Sequence, residues 1–179
     1  MSFTALFGDT LLTKDGDKRT KDVLSGCQAV GIYFAAQWCV PCRALTTQLA
    51  KNFTDHLESK GMRIVFVSSE RDDISFKECF SEMPWVALPF GRQDLKAALI
   101  SKYGVSGIPS FVILDPSGGT ITKDGRAEVL KDPRSCIHLG ACSQVVRSLW
   151  LCAGVAARFG RFCPSLSVGI LRVLRLCAC

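Results

Sequence analysis

The stretch Ala29-Val30-Gly31-Ile32-Tyr33-Phe34-Ala35-Ala36-Gln37-Trp38-Cys39-Val40-Pro41-Cys42 decides the fold. Its first half is an unbroken apolar run with Val, Ile, Tyr and Phe, the pattern of a strand buried on both faces. Beyond Cys42, apolar residues recur at helical spacing at Leu45, Leu49, Phe53 and Leu57, and Gly61 follows as a stop signal. The pattern predicts a strand over 28–36 and a helix over 40–59, with two cysteines, two residues apart, at the hand-over. The first turn of a helix presents unpaired N–H groups and the positive end of the helix dipole, which stabilise a thiolate. The thiolate is the attacking species in disulfide exchange. Pro41 fixes the backbone at the helix start. The placement points to redox chemistry.

The same spacing occurs as half of a zinc site, or as two packed core thiols. Structural zinc needs a second Cys or His pair at ligand spacing. Neither His56 nor His138 supplies an H-x3–5-H or CxxH pattern, Cys136 and Cys142 are six apart, and Cys177 and Cys179 lie at the chain end. The spacing therefore favours a dithiol over a metal half-site, and no metal is expected. No nucleotide or flavin motif is visible, so no resident cofactor is expected either.

Outward from the dithiol, Met62–Ser68 reads as a second buried strand, and strand, helix and strand together form a βαβ unit with a parallel pair. Asp73–Phe80 and Asp94–Tyr103 read as helices, separated by Met83-Pro84-Trp85-Val86-Ala87-Leu88-Pro89-Phe90, an apolar stretch bracketed by prolines. Phe111–Leu114 is a strand, and the turn Asp115-Pro116-Ser117-Gly118-Gly119 leads to another at Thr120–Lys123, a hairpin with clear turn chemistry. A last helix closes the order. Upstream, Thr10–Lys14 has strand character and Asp15-Gly16-Asp17 reads as a polar turn. The sum is an α/β fold, a mixed central sheet with helices on both faces.

Charge and cysteine divide the 179 residues at one place. The net charge of +6 belongs wholly to residues 134–179, which hold six arginines, no lysine and no acid. Residues 1–133 are balanced, with no nucleic-acid footprint. Six of the ten cysteines also fall in 134–179. The expected organisation is a folded domain over 1–133 and an irregular, poorly structured Arg/Cys-rich tail. Arginines break the tail's uncharged runs at about half the ~20 residues a membrane helix needs, so no span is expected. A membrane-surface helix and a metal-binding tail are the other readings of that segment. MSFTALFGDTLLTKDGDKR has no basic stretch followed by a long apolar one, so no secretory signal is read. The expected compartment is reducing: the cytoplasm, with the nucleus as a second location.

The element order, the Trp-Cys-x-x-Cys after the first buried strand and Gly107-Ile108-Pro109-Ser110 before the hairpin resemble the thioredoxin fold, a three-layer sandwich. The resemblance implies that Pro109 is cis and faces the dithiol, with strand backbone beside it free to pair with a substrate chain. Ordinary thioredoxins carry an aspartate six residues before the first active cysteine, where Tyr33 stands here. Tyr33–Cys39, Ile64–Ser69 and above all Met83–Phe90 are similar to the nucleoredoxin and tryparedoxin branch, as are Asp124-Gly125-Arg126-Ala127 and Lys131-Asp132-Pro133. The similarity covers about 8–133. Two departures stand out: Val40-Pro41 replaces the usual Pro-Pro, and the branch's acidic, aromatic continuation does not follow Pro133.

Cys39 is the candidate nucleophile, and Cys42, one turn on, the shielded resolving thiol. Trp38, Val40, Pro41, Trp85, Ile108 and Pro109 are the candidate substrate-binding residues, with a closed-core position the other reading of Trp85. Arg43 is either a partner for the thiolate or an exposed helix arginine. Tyr33, Cys27 and Cys79 read as core. Glu70, Asp72 and Asp73 follow a strand's C-terminal end and read as a solvated charged turn, with proton transfer to Cys42 as the alternative. The function expected is a thiol–disulfide oxidoreductase acting on disulfide-containing protein substrates and restored by an external dithiol reductant or reductase. The rival is a redox-responsive binding protein that regulates a signalling partner through its dithiol.

Overall fold

A computed structural model describes residues 2–131. The tail expected over 134–179, with its membrane-surface and metal-binding readings, lies outside the described residues, as do Asp132 and Pro133. The apolar run forms β3 (Ala29–Ala35), buried throughout. It pairs in parallel with β4 (Met62–Ser68), from Ala29↔Met62 to Ala35↔Ser68. On its other side it pairs antiparallel with β6 (Ser110–Leu114), from Val30↔Leu114 to Phe34↔Ser110. The dithiol strand is thus the middle of three hydrogen-bonded neighbours.

Strand alternation then divides the interior into two cores. Tyr33 and Ala35 of β3, Met62, Ile64 and Phe66 of β4, and Phe111 and Ile113 of β6 face one core. That side is covered by α3 (Val40–Asn52), its π-helical continuation Phe53–Leu57, α4 (Asp73–Ser81) and α6 (Gly125–Lys131). Val30, Ile32 and Phe34, with Val65, Val67, Val112 and Leu114, face the other. There α1 (Phe3–Phe7), α2 (Thr20–Val23) and α5 (Gln93–Tyr103) form the covering layer. Gly31 has no side chain because the Phe111 ring fills its place: a Cβ there would stand 2.5 Å from the ring. Among the described residues no helix is long and apolar enough to cross a membrane.

Among the described residues the sheet has seven strands in the order β2-β1-β5-β4-β3-β6-β7, with β1 (Thr10–Thr13), β2 (Gly16–Arg19), β5 (Val86–Ala87) and β7 (Thr120–Thr122) completing it. Four of the described elements go beyond the sequence reading: α1, α2, β2 and β5. The turn expected at 15–17 sits one residue earlier. Thr13 pairs with Gly16, leaving Lys14 and Asp15 as the loop, and Gly16 and Asp17 enter β2. β2 is an edge strand of Gly, Asp, Lys and Arg, held by main-chain pairing and blunted by charge.

The segment between the prolines is corrected as well. Val86 and Ala87 insert as β5 between β4 (Val65↔Val86, Phe66↔Ala87) and β1 (Leu12↔Ala87). This pairing turns Trp85 inward, to 3% exposure, instead of leaving it beside the dithiol as a groove wall. Its ring stands edge-on to Tyr33 at 6.0 Å and to Phe53 at 5.7 Å.

Candidate active site

The site is built where β3 ends. Ser69 N–H donates to the Ala35 carbonyl at 2.9 Å, carrying the β3–β4 pairing one step past the strand ends. The chain then leaves the sheet through Ala36, Gln37 and Trp38. Cys39 is the N-cap of α3, with extended φ −86° and ψ 104°, and Pro41 lies in the first turn. The Cys39 carbonyl accepts the first helical bonds, from Cys42 N–H at 3.0 Å and Arg43 N–H at 3.2 Å. The Cys39 sulfur therefore stands at the positive end of a helix thirteen residues long.

Across from it runs the loop before β6. The Ile108–Pro109 peptide is cis, as the resemblance implied. Cys39 Sγ lies 3.8 Å from the Ile108 carbonyl oxygen, to which the thiol donates. Trp38 and Val40 flank the cysteine at 59% and 64% exposure, an apolar rim around its sulfur. Pro41 is exposed, and Ile108 and Pro109 are half-buried. Of the candidate substrate-binding residues, the structure places Trp38, Val40, Pro41, Ile108 and Pro109 around the dithiol and buries Trp85 in the core behind Tyr33.

Cys39 and Cys42 are both free thiols with distinct surroundings. Cys39 retains 7% exposure, its sulfur tucked against the Ile108 carbonyl. Cys42 retains 1%. Burial, and then its hydrogen bond with Cys39, push the Cys42 thiol up to about 12. The first thiol keeps some access to solvent and the second almost none.

Behind the pair stands Tyr33. Its hydroxyl donates to the Cys42 carbonyl at 3.2 Å and shares a 2.9 Å hydrogen bond with Thr46 Oγ1. Burial raises its pKa, so it stays protonated. Tyr33 is a core residue, as read from the sequence, and its hydroxyl also supports the dithiol turn.

Glu70 overturns the expectation of a solvated charged turn. It is more than nine-tenths buried, and its Oε1 accepts the main-chain N–H of Gln37. Its own N–H donates to Ser68 Oγ at 3.0 Å. The other two acids do lie in solvent. Asp72 caps α4 through Ser75 N–H at 2.8 Å, and Asp73 pairs with Lys77 at 2.6 Å. Cys79 is buried on α4, and burial, with the charges of Glu70 and Glu82 behind it, pushes its thiol up to about 12. A cleft of about 480 Å³ opens beside the dithiol, lined by Trp38, Arg43, Glu70, Arg71, Asp72 and Glu78 among others. Arg43 is an exposed helix arginine whose side chain lines this cleft. Sequence reasoning missed Gln37 and misplaced Glu70; the available signal was an acid two residues past a strand buried on both faces.

A dithiol at a helix start, opposite a cis-proline loop on a mixed sheet layered between helices, defines the thioredoxin fold. Comparison with known proteins agrees. A family model described as thioredoxin-like matches residues 26–120. Human nucleoredoxin is 41% identical over 131 residues, covering 73% of this chain and 30% of that protein. Tryparedoxin from Trypanosoma brucei brucei is 32% identical over 124 residues, covering 69% of this chain and 85% of that one. The solved structure of tryparedoxin from Trypanosoma brucei superimposes with a TM-score of 0.69 at 33% identity, over 75% of this chain and 94% of that chain. The chain belongs to the thioredoxin-like family, on its nucleoredoxin and tryparedoxin branch. It spans about a third of the length of the nucleoredoxin it matches.

Proposed function

We propose that the chain is a thiol–disulfide oxidoreductase that reduces disulfides in protein substrates. The observation that supports it most is the asymmetry of the dithiol: Cys39 at the helix start with residual exposure beside Ile108 and Pro109, and Cys42 sealed behind it. Cys39 thiolate attacks one sulfur of the substrate disulfide, forming a mixed disulfide and releasing the other substrate sulfur as a thiolate. Cys42 then loses its proton and attacks Cys39 Sγ. The second substrate thiolate leaves, and a Cys39–Cys42 disulfide remains, so two electrons have passed to the substrate. Tyr33 holds the turn that carries Cys42, and Trp38 and Val40 supply the apolar rim for the substrate chain.

An external dithiol reductant or reductase returns the disulfide to the dithiol, in a reducing compartment such as the cytoplasm. The domain at 1–133 is the working unit in this reading, and the segment from 134 is outside the catalytic machinery. Insulin reduction with a dithiol reductant tests it. The Cys39→Ser variant is expected to be inactive, and Cys42→Ser is expected to accumulate mixed disulfides. Full activity of Cys39→Ser would overturn the reading.

A further inference from the structure

The mechanism above leaves one buried charged group without a task. Glu70 lies just past the C-terminal end of β4, on the floor of the cleft beside Trp38. A carboxylate is costly to bury without partners. Glu70 has a specific one in the Gln37 N–H on the dithiol loop, and its charge is felt by the nearby thiol of Cys79 on α4. The Gln37 N–H is the last main-chain donor before the Trp38-Cys39 step. Beyond it, Cys39 N–H makes only a turn bond of 3.3 Å to the Ala36 carbonyl, and no side chain caps α3. The chain between the end of β3 and the start of α3 is thus anchored from outside its own segment by Glu70.

We infer that Glu70 is a positioning residue for the nucleophile. By holding Gln37, it fixes where the chain leaves the sheet, and so sets Trp38 outward and Cys39 Sγ against the Ile108 carbonyl. The effect passes through main-chain geometry, and Glu70 itself touches neither reacting sulfur. Side-chain reach is therefore what matters. A glutamine at 70 keeps an oxygen of the same reach, and its amide group can face Cys79. An aspartate keeps the charge but is one methylene too short to meet Gln37.

The inference rests on reading Cys39 as the attacking thiol, yet its first test requires no turnover. The reduced full-length chain, as Glu70→Gln and as Glu70→Asp, is pulse-labelled with iodoacetamide over a pH series, below the melting transition of each variant. Labelling of the Cys39-containing peptide is read by mass spectrometry. Cys27, buried in the opposite core, reports any general opening of the fold. Glu70→Gln is expected to label Cys39 within about twofold of the parent, and Glu70→Asp to differ from it by about tenfold, with Cys27 unchanged in both. Cys39 labelling that is unaltered in Glu70→Asp, or altered equally in both variants, or altered more in Glu70→Gln, overturns the inference. Insulin reduction by the same proteins separates the two readings. An inactive parent whose Cys39 labelling still follows the Gln/Asp pattern refutes the reductase and keeps the positioning role. An active parent whose labelling ignores residue 70 does the reverse.

Discussion

The Tyr33 hydroxyl donates a 3.2 Å hydrogen bond to the main-chain carbonyl of Cys42, so the central strand grips the first turn of the dithiol helix directly. Around that bond the Tyr33 ring meets Trp85 at 6.0 Å and Phe111 at 6.1 Å, both edge-on, and Phe66 at 6.3 Å. Burial raises the tyrosine's pKa and keeps it in the donating form. Tyr33→Phe preserves the ring packing and leaves the Cys42 carbonyl without this donor. The expected loss is about 1–2 kcal/mol in urea denaturation. The pH profile of disulfide reduction should keep its shape, because Tyr33 does not titrate in the working range. A profile displaced by Tyr33→Phe would show instead that the hydroxyl exchanges protons during the reaction.

Trp85 is the second support. It stands between Tyr33 and Phe53 at 3% exposure, so its truncation removes packing from behind the dithiol turn. Trp85→Ala is expected to cost about 3–5 kcal/mol in stability, as for other large-to-small core changes. Trp85→Phe should recover most of it, with KM for a protein disulfide close to that of the parent. A groove residue would behave in the opposite way, with stability retained and KM raised.

Trp38 is exposed beside Cys39 and packs into neither core. Trp38→Ala should therefore leave the unfolding midpoint nearly unchanged, within about 0.5 kcal/mol. If its ring carries substrate contact, kcat/KM for protein disulfides should fall about tenfold, equivalent to about 1.4 kcal/mol, the size of an aromatic contact at an interface. Reduction of a small disulfide such as cystine should fall less, since it covers less of the rim. Comparing the two substrates separates a docking surface from general damage to the dithiol.

How far these features were legible depends on what each residue's neighbours are. β3 and β4 announce themselves because both faces are buried, so each carries an apolar run, unbroken in β3 and from Ile64 to Val67 in β4. The dithiol is legible for the same reason: a strand that cannot be mistaken fixes where the helix begins. β2 offers no such signal, since Gly16–Arg19 pairs through its main chain and buries no side chain. Trp85 was ambiguous because hydrophobicity does not say which way a short apolar segment faces. Its direction comes from β5 pairing with β1 and β4, contacts distant in sequence. Glu70 was hidden for a related reason. An acid after a strand normally lies in solvent, and its partner, Gln37 N–H, is thirty-three residues away.

The two thiols behind the site make the reduced protein's stability fall at high pH. Cys42 and Cys79 are each raised from 9.0 to about 12, in both cases by burial first. In the unfolded chain these thiols ionise near the lower value, whereas in the folded protein they hold their protons until near the upper one. Between the two, the folded state binds more protons than the unfolded state, so stability decreases with rising pH. The stabilisation is fully present below about pH 9 and is lost progressively as pH rises towards about 12. Urea titrations of the reduced protein through that window should show a declining unfolding free energy. Burial raises Cys27 and Tyr33 as well, so Cys79→Ala removes one of several such titrations and should make the decline shallower than in the parent, whatever its effect on stability at neutral pH. The resolving reaction follows the same cause with the opposite sign. Cys42 must be a thiolate to attack Cys39, so collapse of a preformed mixed disulfide should accelerate as pH rises. Stopped-flow measurement of that single step, with the entering thiol already consumed, isolates Cys42 from Cys39. A collapse rate that is flat with pH, or a Cys79→Ala protein whose stability declines as steeply as the parent's, would contradict the assignment of these raised thiols.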